Sequence, residues 1–344
     1  MIILGIETSC DETSVAIIEK KPSQKFGKVL SEKTLSQIDK HKKFGGVVPE
    51  LASREHSNSI NFLVEKALSA SKVSLNKIDA FAATLGPGLL GGLLIGSNYA
   101  KTLALALNKP FIAINHLQGH LLIPRMKKEI NFPFLCLLVS GGHTQLVIAK
   151  KYNNFELIGE TLDDALGEAF DKVAKLLGYS YPGGPIIEKL ALKSNGEVSF
   201  KLPKPLINSK DLNFSFSGIK TAVRKVTDDF FEKKNESHLA KEFQENVTEC
   251  LIIKSEKAIN LFKTKYRSGF FVLAGGVASN KYIRKELQSL CKRMCMKFIA
   301  PEQKLCVDNA TMIAWAAIER LENKKKSDPL ELEPKPRWAL GSLC

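Results

Sequence analysis

Two histidines lie four residues apart in the segment His116-Leu117-Gln118-Gly119-His120. On an α-helix this spacing places both imidazoles on one face, near enough to bind a single metal ion. Two ordinary core or surface histidines at chance spacing would give the same pattern. A thermolysin-type zinc protease needs a glutamate directly after the first histidine as general base. Because Leu117 stands there instead, the pattern argues against that class of enzyme.

A third metal ligand has to come from elsewhere in the chain. Asp308 is a candidate at the start of a predicted helix, where an aspartate is equally typical as an N-cap. Four other carboxylates stand in or near turns that contain serine or glycine: Glu7, Asp11, Glu12 and Asp171. A carboxylate at such a turn can position a metal, a water or a nucleophile, while its ordinary role is to accept hydrogen bonds from turn amides. Both roles stay open for Asp11.

Three turns follow apolar strands and offer backbone amides: Ser9 to Thr13, Ser140-Gly141-Gly142, and Gly275-Gly276. Successive amides in a turn form a cradle for a phosphate, although any one of these turns could simply end a strand. Together they predict a nucleotide site held from two sides. The chain has no P-loop pattern and no Gly-x-Gly-x-x-Gly after its first strand, which argues against those two nucleotide-binding classes.

The elements that carry these residues alternate between strands and helices, as in an α/β fold. The N-terminal residues predict a β-hairpin, Ile2 to Thr8 and Thr13 to Glu19, whose polar tip holds Asp11. An equivalent hairpin returns 131 residues later, at Phe134 to Val139 and Thr144 to Ala149. Two hairpins with equivalent polar tips predict a duplicated α/β domain whose two lobes face each other across a cleft.

Apolar periodicity and turn signals predict the remaining elements. The predicted helices are 49–70, 88–107, 164–177, 218–231, 237–265, 278–295 and 308–321. The predicted further strands are 79–84, 111–115, 155–161 and 270–273, with an exposed loop at 195–211 and a charged linker at 324–328. We expect an N-terminal lobe of residues 1–110 with 305–344. We expect residues 111–304 to form a C-terminal lobe with the metal, the adenylate cleft and a basic region.

Composition limits the class of protein further. The 344 residues are 44% hydrophobic and 25% charged, which is enough for a sizeable core. Seven cysteines without paired metal spacing predict reduced thiols. The apolar stretch from Gly88 to Leu107 is interrupted by glycines and Lys101, which favours a buried helix over a membrane span. The N-terminus predicts a strand rather than a signal peptide, which favours a cytoplasmic protein.

The positive charge is concentrated in one region. The chain carries +14, and residues 186–300 contribute +10 of it, with 22 basic and 12 acidic side chains. Such an excess is compatible with an anionic partner and equally with a solvated basic face. Charge alone leaves both interpretations open.

Motifs along nearly the whole chain closely resemble the universal tRNA N6-adenosine threonylcarbamoyltransferase family, once described as an O-sialoglycoprotein endopeptidase. The matching segments are 5–13 (GIETSCDET), 45–56 (GGVVPELASREH), 116–120 (HLQGH), 138–144 (LVSGGHT), 167–172 (GEAFDK), 181–185 (YPGGP), 214–218 (FSFSG), 274–277 (AGGV) with Asn280, and 308–309 (DN). The Arg337-Trp338 tail and the lack of a fused kinase resemble the bacterial branch. Small departures at Leu166, Ser279 and Thr311, where alanine is usual, concern local packing only.

The resemblance implies a fold of the actin-like, Hsp70-like and sugar-kinase-like (ASKHA) type, with two lobes around a nucleotide cleft. It implies transfer of the threonylcarbamoyl group of threonylcarbamoyl-AMP to N6 of adenosine 37 in tRNAs that read codons beginning with A. The products would be t6A and AMP. It also implies metal ligation by His116, His120 and Asp308, and action of Asp11 at the reacting centre. The implied adenylate contacts are Leu138, Val139, Ser140, Gly141, Gly142, Asp171, Gly184 and Asn280.

The same resemblance implies one divalent metal per subunit, Fe²⁺ in preference to Zn²⁺. The implied partners are tRNA, a degenerate paralogue subunit and a P-loop ATPase subunit, with a homodimer as the alternative assembly. Two other functions remain open on this fold: a small-molecule kinase and a non-catalytic scaffold. A kinase does not need the paired histidines, and a degenerate scaffold would lack the metal residues. The presence of His116, His120 and Asp308 argues against both.

Overall fold

The computed structural model describes residues 1–195, 200–230, 235–323 and 327–340. The chain divides into two compact units. Unit 1 comprises Met1–Ile130, Lys151–Phe155 and Asp308–Cys344, and unit 2 comprises Asn131–Lys150 and Glu156–Val307. The predicted loop 195–211, the linker 324–328 and the end of the predicted helix 218–231 lie partly outside the described residues.

Within the described part of unit 1, a mixed β-sheet forms the centre. Its strands are β1 (Ile2–Glu7), β2 (Glu12–Glu19), β3 (Lys28–Ser36), β4 (Ala80–Gly86) and β5 (Phe111–Asn115). Their order is β3-β2-β1-β4-β5, in which β1 pairs antiparallel with β2 and parallel with β4. Strands β1, β4 and β5 are almost entirely buried, as expected for central strands with helices on both faces.

The helices of unit 1 are α1 (Ile38–His41), α2 (Pro49–Ser71), α3 (Leu90–Ala106), α4 (His116–Leu122) and α10 (Ala310–Glu322). Leu4 and Ile6 of β1 pack in one core with residues of α2 and α3. Gly5 points to the opposite face, because side chains alternate along a strand. A Cβ at Gly5 would lie 2.8 Å from the Ala310 carbonyl oxygen, so helix α10 lies directly against β1 there.

Unit 2 repeats this arrangement strand for strand. Its strands are β6 (Phe134–Val139), β7 (Thr144–Lys151), β8 (Asn154–Glu160), β9 (Phe270–Ala274) and β10 (Lys297–Ile299), in the order β10-β9-β6-β7-β8. As in unit 1, the first strand of this set pairs antiparallel with the second and parallel with the fourth. Its helices are α5 (Leu166–Leu176), α6 (Gly183–Ala191), α7 (Ser217–Phe230), α8 (Glu236–Tyr266) and α9 (Lys281–Arg293). The repeated strand order confirms the duplication predicted from the two hairpins.

The structure corrects the predicted boundary at residue 110. Residues 111–130 belong to unit 1, because β5 pairs in parallel with β4 and extends the first sheet. The two histidines of α4 therefore lie in unit 1 and not in the second lobe. The predicted helix 278–295 begins as an α-helix only at Lys281, because Asn280 caps it.

Some elements were missing from the prediction, among them β3, β10 and α6. Strand β3 is half exposed and charged, so it lacks the apolar run that marks a central strand. Among the described helices, none combines the length and apolar character needed to cross a bilayer.

Candidate functional site

The two histidines follow directly after strand β5. This strand ends at Asn115, whose side-chain oxygen accepts hydrogen bonds from the backbone N–H groups of Leu117 (2.9 Å) and Gln118 (3.3 Å) and so caps α4. His116 is the first residue of that helix, and His120 follows one turn later. Their ring centroids are 4.8 Å apart. The prediction that both rings share a helix face is confirmed, and both rings are buried.

Asp308 directly precedes α10. The N-cap of that helix is the next residue, Asn309, whose side chain accepts from the Met312 N–H at 2.9 Å. The start of α10 is also fixed to β2, because the Ala310 N–H donates to the Ser14 hydroxyl at 3.0 Å. The N-cap of α10 is therefore Asn309 and not Asp308. The Asp308 carboxylate contacts the two histidines instead.

The three predicted ligands form one cluster. Asp308 Oδ1 lies 3.1 Å from His120 Nε2 and 3.4 Å from His116 Nε2, and one candidate ligand atom from each residue falls within a common span of 4.8 Å. Metal–ligand bonds of about 2.0–2.2 Å would place neighbouring donor atoms of one ion roughly 3 Å apart. Two imidazoles and one carboxylate form a donor set that suits Fe²⁺ or Zn²⁺ and leaves coordination positions open. The residues present therefore fit a divalent ion.

Glu7 contacts the Nδ1 side of the His116 ring and orients the ring. Strand alternation places Glu7 on the same face as Gly5, towards the start of α10. Its Oε2 lies 3.1 Å from His116 Nδ1, and the Ser9 hydroxyl lies 3.1 Å from the same nitrogen. The other carboxylate oxygen accepts from the Ser9 N–H at 2.6 Å. A carboxylate on Nδ1 turns Nε2 towards the ligand cluster, as is usual for histidines that bind metals.

The charges of this cluster are strongly coupled. Burial acts to raise the pKa of Glu7 and of Asp308, but His116 outweighs it, and both carboxyls have a pKa below the usual value. Burial acts to lower the pKa of His116, whereas Asp308 and Glu7 raise it well above the usual value. The two carboxylates therefore favour positive charge at this position, which is the charge that a divalent cation would bring.

Asp11 lies on the turn between β1 and β2 and is buried. Its neighbour Glu12 has a pKa well above the usual value, first because of burial and then because of the charges of Asp308 and Asp11. The turn that carries Asp11 lies beside the cluster of His116, His120 and Asp308, since Ser9 of the same turn contacts His116 Nδ1 at 3.1 Å. Asp11 and the histidine cluster thus lie in one unit, whereas the predicted boundary at residue 110 had separated them.

Unit 2 presents the second glycine turn at the end of β6. Leu138 and Val139 are buried in that strand, and the Ser140 N–H donates to the His143 carbonyl at 2.8 Å to close the turn. Gly141 and Gly142 are exposed, and a Cβ on either would meet open space. Within the described part of the chain, their amides donate no hydrogen bond. The turn thus offers free amide donors to a ligand.

Two neighbouring glycines bring other elements against this turn. A Cβ at Gly167, near the start of α5, would lie 2.7 Å from the Ser140 carbonyl oxygen. Gly275 has φ of 89°, and a Cβ there would lie 2.3 Å from the Val139 carbonyl oxygen. The N-terminus of α5 and the glycine turn after β9 therefore both lie against the end of β6. Free amides beside a helix N-terminus form an anion site.

The remaining predicted adenylate residues also lie in unit 2. Asp171 accepts from the Gly183 N–H at 2.6 Å at the start of α6, next to Gly184. Asn280 caps α9 by accepting from the Ile283 N–H at 2.9 Å. Its amide N–H₂ donates to Gln244 Oε1 at 2.8 Å. Asp171 and Asn280 thus stabilise helix starts, and the Asn280 side chain keeps one N–H and one lone pair for a further contact.

Part of the basic excess of unit 2 is compensated locally. Lys254 is buried and donates to the Ser209 hydroxyl at 2.6 Å and to the Asp211 carbonyl at 2.8 Å. Lys225 and Lys285, by contrast, are exposed. The excess therefore includes both structural and solvent-facing lysines.

Two mixed sheets with the same strand order form a fold of the actin-like, Hsp70-like and sugar-kinase-like type. The structure of HypF from T. kodakarensis is similar, with a TM-score of 0.62, 12% identity, and coverage of 94% of this chain and 48% of that chain. At that identity the likeness concerns the fold alone.

Sequence comparisons define the family within this class. The family model for tRNA N6-adenosine threonylcarbamoyltransferase matches residues 28–315. A protein of that name from Rhizobium johnstonii is 47% identical over 346 residues, covering 99% of this chain and 94% of the relative. Another from Brucella suis is 47% identical over 345 residues, covering 99% and 95%. The chain belongs to the tRNA N6-adenosine threonylcarbamoyltransferase family.

Proposed function

We propose that the chain transfers the threonylcarbamoyl group of threonylcarbamoyl-AMP to N6 of adenosine 37 in tRNAs that read codons beginning with A. The products are t6A and AMP. One observation carries the proposal: in a chain of this family, His116, His120 and Asp308 converge in a cluster that fits a divalent ion.

The three ligands would hold one divalent ion per chain, Fe²⁺ in preference to Zn²⁺. Such an ion supplies Lewis acidity that polarises the threonylcarbamoyl carbonyl. Glu7 keeps His116 oriented with Nε2 towards the cluster, through its contact with Nδ1 at 3.1 Å. Asp308 contributes a carboxylate that stays ionised, since the histidines hold its pKa below the usual value.

Unit 2 would bind the adenylate. The amides of Gly141 and Gly142, with the N-terminus of α5 beside them, are suited to the adenylate phosphate. The other proposed contacts are Leu138, Val139, Ser140, Asp171, Gly184 and Asn280. The proposal is supported by the free amide donors of the turn and by the open space above both glycines.

Asp11 would act on the incoming adenosine. The exocyclic amine is a weak nucleophile because its lone pair is delocalised into the purine ring, so its proton has to be removed as the new bond forms. The new N6–C bond forms, the bond from the carbonyl carbon to the phosphate oxygen breaks, and AMP leaves with that electron pair. Asp11 orients the amine and accepts its proton. Burial, followed by the charges of Asp308 and Asp11, raises the pKa of the neighbouring Glu12.

The tRNA would be held by its phosphate backbone on the basic residues of region 186–300, with the reacting base unstacked from the anticodon loop. Exposed Lys225 and Lys285 are candidates for this contact. A degenerate paralogue and a P-loop ATPase are the proposed protein partners, with a homodimer as the alternative, and the proposed location is the cytoplasm.

The test combines metal-loaded chain, threonylcarbamoyl-AMP and a tRNA transcript, with and without the two partner proteins. Digested nucleosides are measured by mass spectrometry, and we expect t6A and AMP in equal amounts. A transcript with guanosine at position 37 is the matched control and should stay unmodified. Failure to form t6A in the complete mixture, with tRNA and adenylate shown to bind, would contradict the proposal.

A further inference from the structure

The motif Gly45-Gly46-Val47-Val48-Pro49 to His56 has no part in the site described above, although its last residue is buried within unit 1. We propose that His56 is a positioning residue that holds the turn from Ser9 to Glu12, and with it Asp11, by binding the Cys10 carbonyl. This inference rests on the proposed role of Asp11.

Three successive carbonyls of this turn are held by three different segments of unit 1. The bonds run from Leu89 N to Ser9 O (2.8 Å), from His56 Nε2 to Cys10 O (3.0 Å) and from Gln37 N to Asp11 O (3.0 Å). The first and last donors are backbone groups that most substitutions leave in place. The middle donor is a side chain, so the hold on Cys10 depends on the residue at position 56.

The surrounding groups determine the protonation of His56. The Cys10 carbonyl can only accept, so Nε2 must carry a hydrogen. Burial lowers the pKa of His56. Burial thus favours the neutral ring, whose Nδ1 lone pair accepts from the Thr13 hydroxyl at 2.7 Å. Both ring nitrogens have a partner, and one tautomer satisfies both.

A chain of hydrogen bonds with one consistent direction supports this tautomer. It begins at Val48, whose N–H donates to His41 Nδ1 at 3.3 Å, and His41 Nε2 then donates to Gln37 Oε1 at 3.0 Å. The Gln37 amide nitrogen lies 3.3 Å from His56 Nδ1, on the lone pair that the Thr13 hydroxyl approaches more closely, at 2.7 Å. His56 Nε2 then donates to the Cys10 carbonyl. The series thus leads from Val48 through His41 and Gln37 to the turn, and the Gln37 amide also faces the Ala52 carbonyl at 3.4 Å.

The space around His56 leaves little room for the ring to move. A Cβ at Gly92, in α3, would lie 3.2 Å from two atoms of the His56 ring and 2.2 Å from the Thr8 carbonyl oxygen. Helix α3 therefore packs directly on both the ring and the beginning of the turn. Closely packed protein interiors transmit a displacement from one group to the next, so the position of the ring and the position of the turn depend on each other.

Cys10 separates the two functional parts of the turn. On one side Ser9 contacts His116 Nδ1 at 3.1 Å, and on the other side lies Asp11. A shift of the Cys10 carbonyl changes the position of Asp11 relative to the metal ligands. Misplacement of a reacting group by about 1 Å can cost about 10²-fold in rate. His56 should therefore affect turnover rather than the binding of metal or substrate.

The test replaces His56 in two ways. His56→Leu removes the donor, and His56→Gln keeps an N–H near the position of Nε2. We expect His56→Leu to lower kcat by roughly 10- to 100-fold, with unchanged metal content, adenylate KM and tRNA affinity. His56→Gln should recover most of kcat. Asn61→Leu is the matched control, since Asn61 lies on the same helix α2 and donates to Glu65 at 2.8 Å on the exposed side, and it should leave kcat unchanged.

Hydrogen exchange of the peptide that contains Cys10 and Asp11 provides a measurement independent of activity. We expect faster exchange in His56→Leu and protection near the wild-type level in His56→Gln. Wild-type kcat and wild-type exchange in the leucine variant would overturn the inference, as would loss of metal in both variants, which indicates a general structural role. If the wild type forms no t6A, the proposed function fails, and the exchange comparison still decides whether His56 holds the turn.

Discussion

Replacement of Glu7 by glutamine tests how the proposed metal site is stabilised. Glutamine preserves the shape of the side chain and removes its charge. The carboxylate now contacts His116 Nδ1 at 3.1 Å and the Ser9 N–H at 2.6 Å with its two oxygens. A glutamine has only one oxygen, so it can accept from one of these groups and must turn its N–H₂ towards the other. The His116 ring should therefore be less firmly oriented and less basic.

The expected loss of metal affinity follows from the contact of Glu7 with the proposed ligand His116. Loss of a hydrogen-bonded carboxylate of this kind costs about 10- to 100-fold in metal affinity, which corresponds to about 1.4 to 2.8 kcal/mol at 25 °C. Two features of the site favour the upper part of this range. Glu7 is buried, and its charge is one of two carboxylates that raise the pKa of His116.

The assay is a titration of metal-free protein with Fe²⁺ under anaerobic conditions, and separately with Zn²⁺, against a competing chelator. Thr84→Val is the matched control, because the Thr84 hydroxyl donates to the same Glu7 oxygen and its removal leaves the carboxylate charge in place. We expect a much smaller change in affinity for that variant. Thermal unfolding of both metal-free variants shows whether they are folded.

A Glu7→Gln variant that is folded and binds either ion as tightly as the wild type would refute the reasoning. The contact between Glu7 and His116 would then be structural. An equal loss in Thr84→Val would assign the effect to packing around β4 and not to the charge of Glu7.

Three further predictions concern catalysis and tRNA binding. His116→Ala should abolish both bound metal and transfer with the fold intact, as measured by metal analysis, circular dichroism and t6A formation; full activity with metal confirmed absent would contradict the Lewis-acid role. Asp11→Ala should slow single-turnover transfer by about 10²- to 10⁴-fold with adenylate binding retained, and lost binding at an unchanged rate would reverse that assignment. Lys225→Glu with Lys285→Glu should weaken tRNA binding and reduce its log-log salt slope by about 0.7 to 0.9 per lost phosphate contact. Lys77→Glu in unit 1 is the control, and an unchanged slope across charge reversals of the whole basic region would show that the excess is solvated surface.

Local sequence patterns predicted several parts of the molecule correctly. The spacing of His116 and His120 predicted a shared helix face, and the two hairpins predicted the duplication of the sheet. These predictions succeed because helix periodicity and strand alternation depend on residues only a few positions apart. The same local reasoning allowed Asp308 to be an N-cap, and it could not show that Asn309 takes that position.

Contacts between distant segments were decided by the tertiary structure alone. Asp308 follows His120 by 188 residues, and Glu7 precedes His116 by 109 residues. Separations of this size leave no local signal in the sequence. The pairing of β1, β4 and β5 and the packing of α10 on that sheet bring these side chains together. His56 was part of a recognised motif, but its contact with the Cys10 carbonyl depends on how α2 packs on the first hairpin. The sequence by itself therefore determined the types of residues and the local elements that carry them, whereas the pairing of strands far apart in the chain decided which of those residues meet.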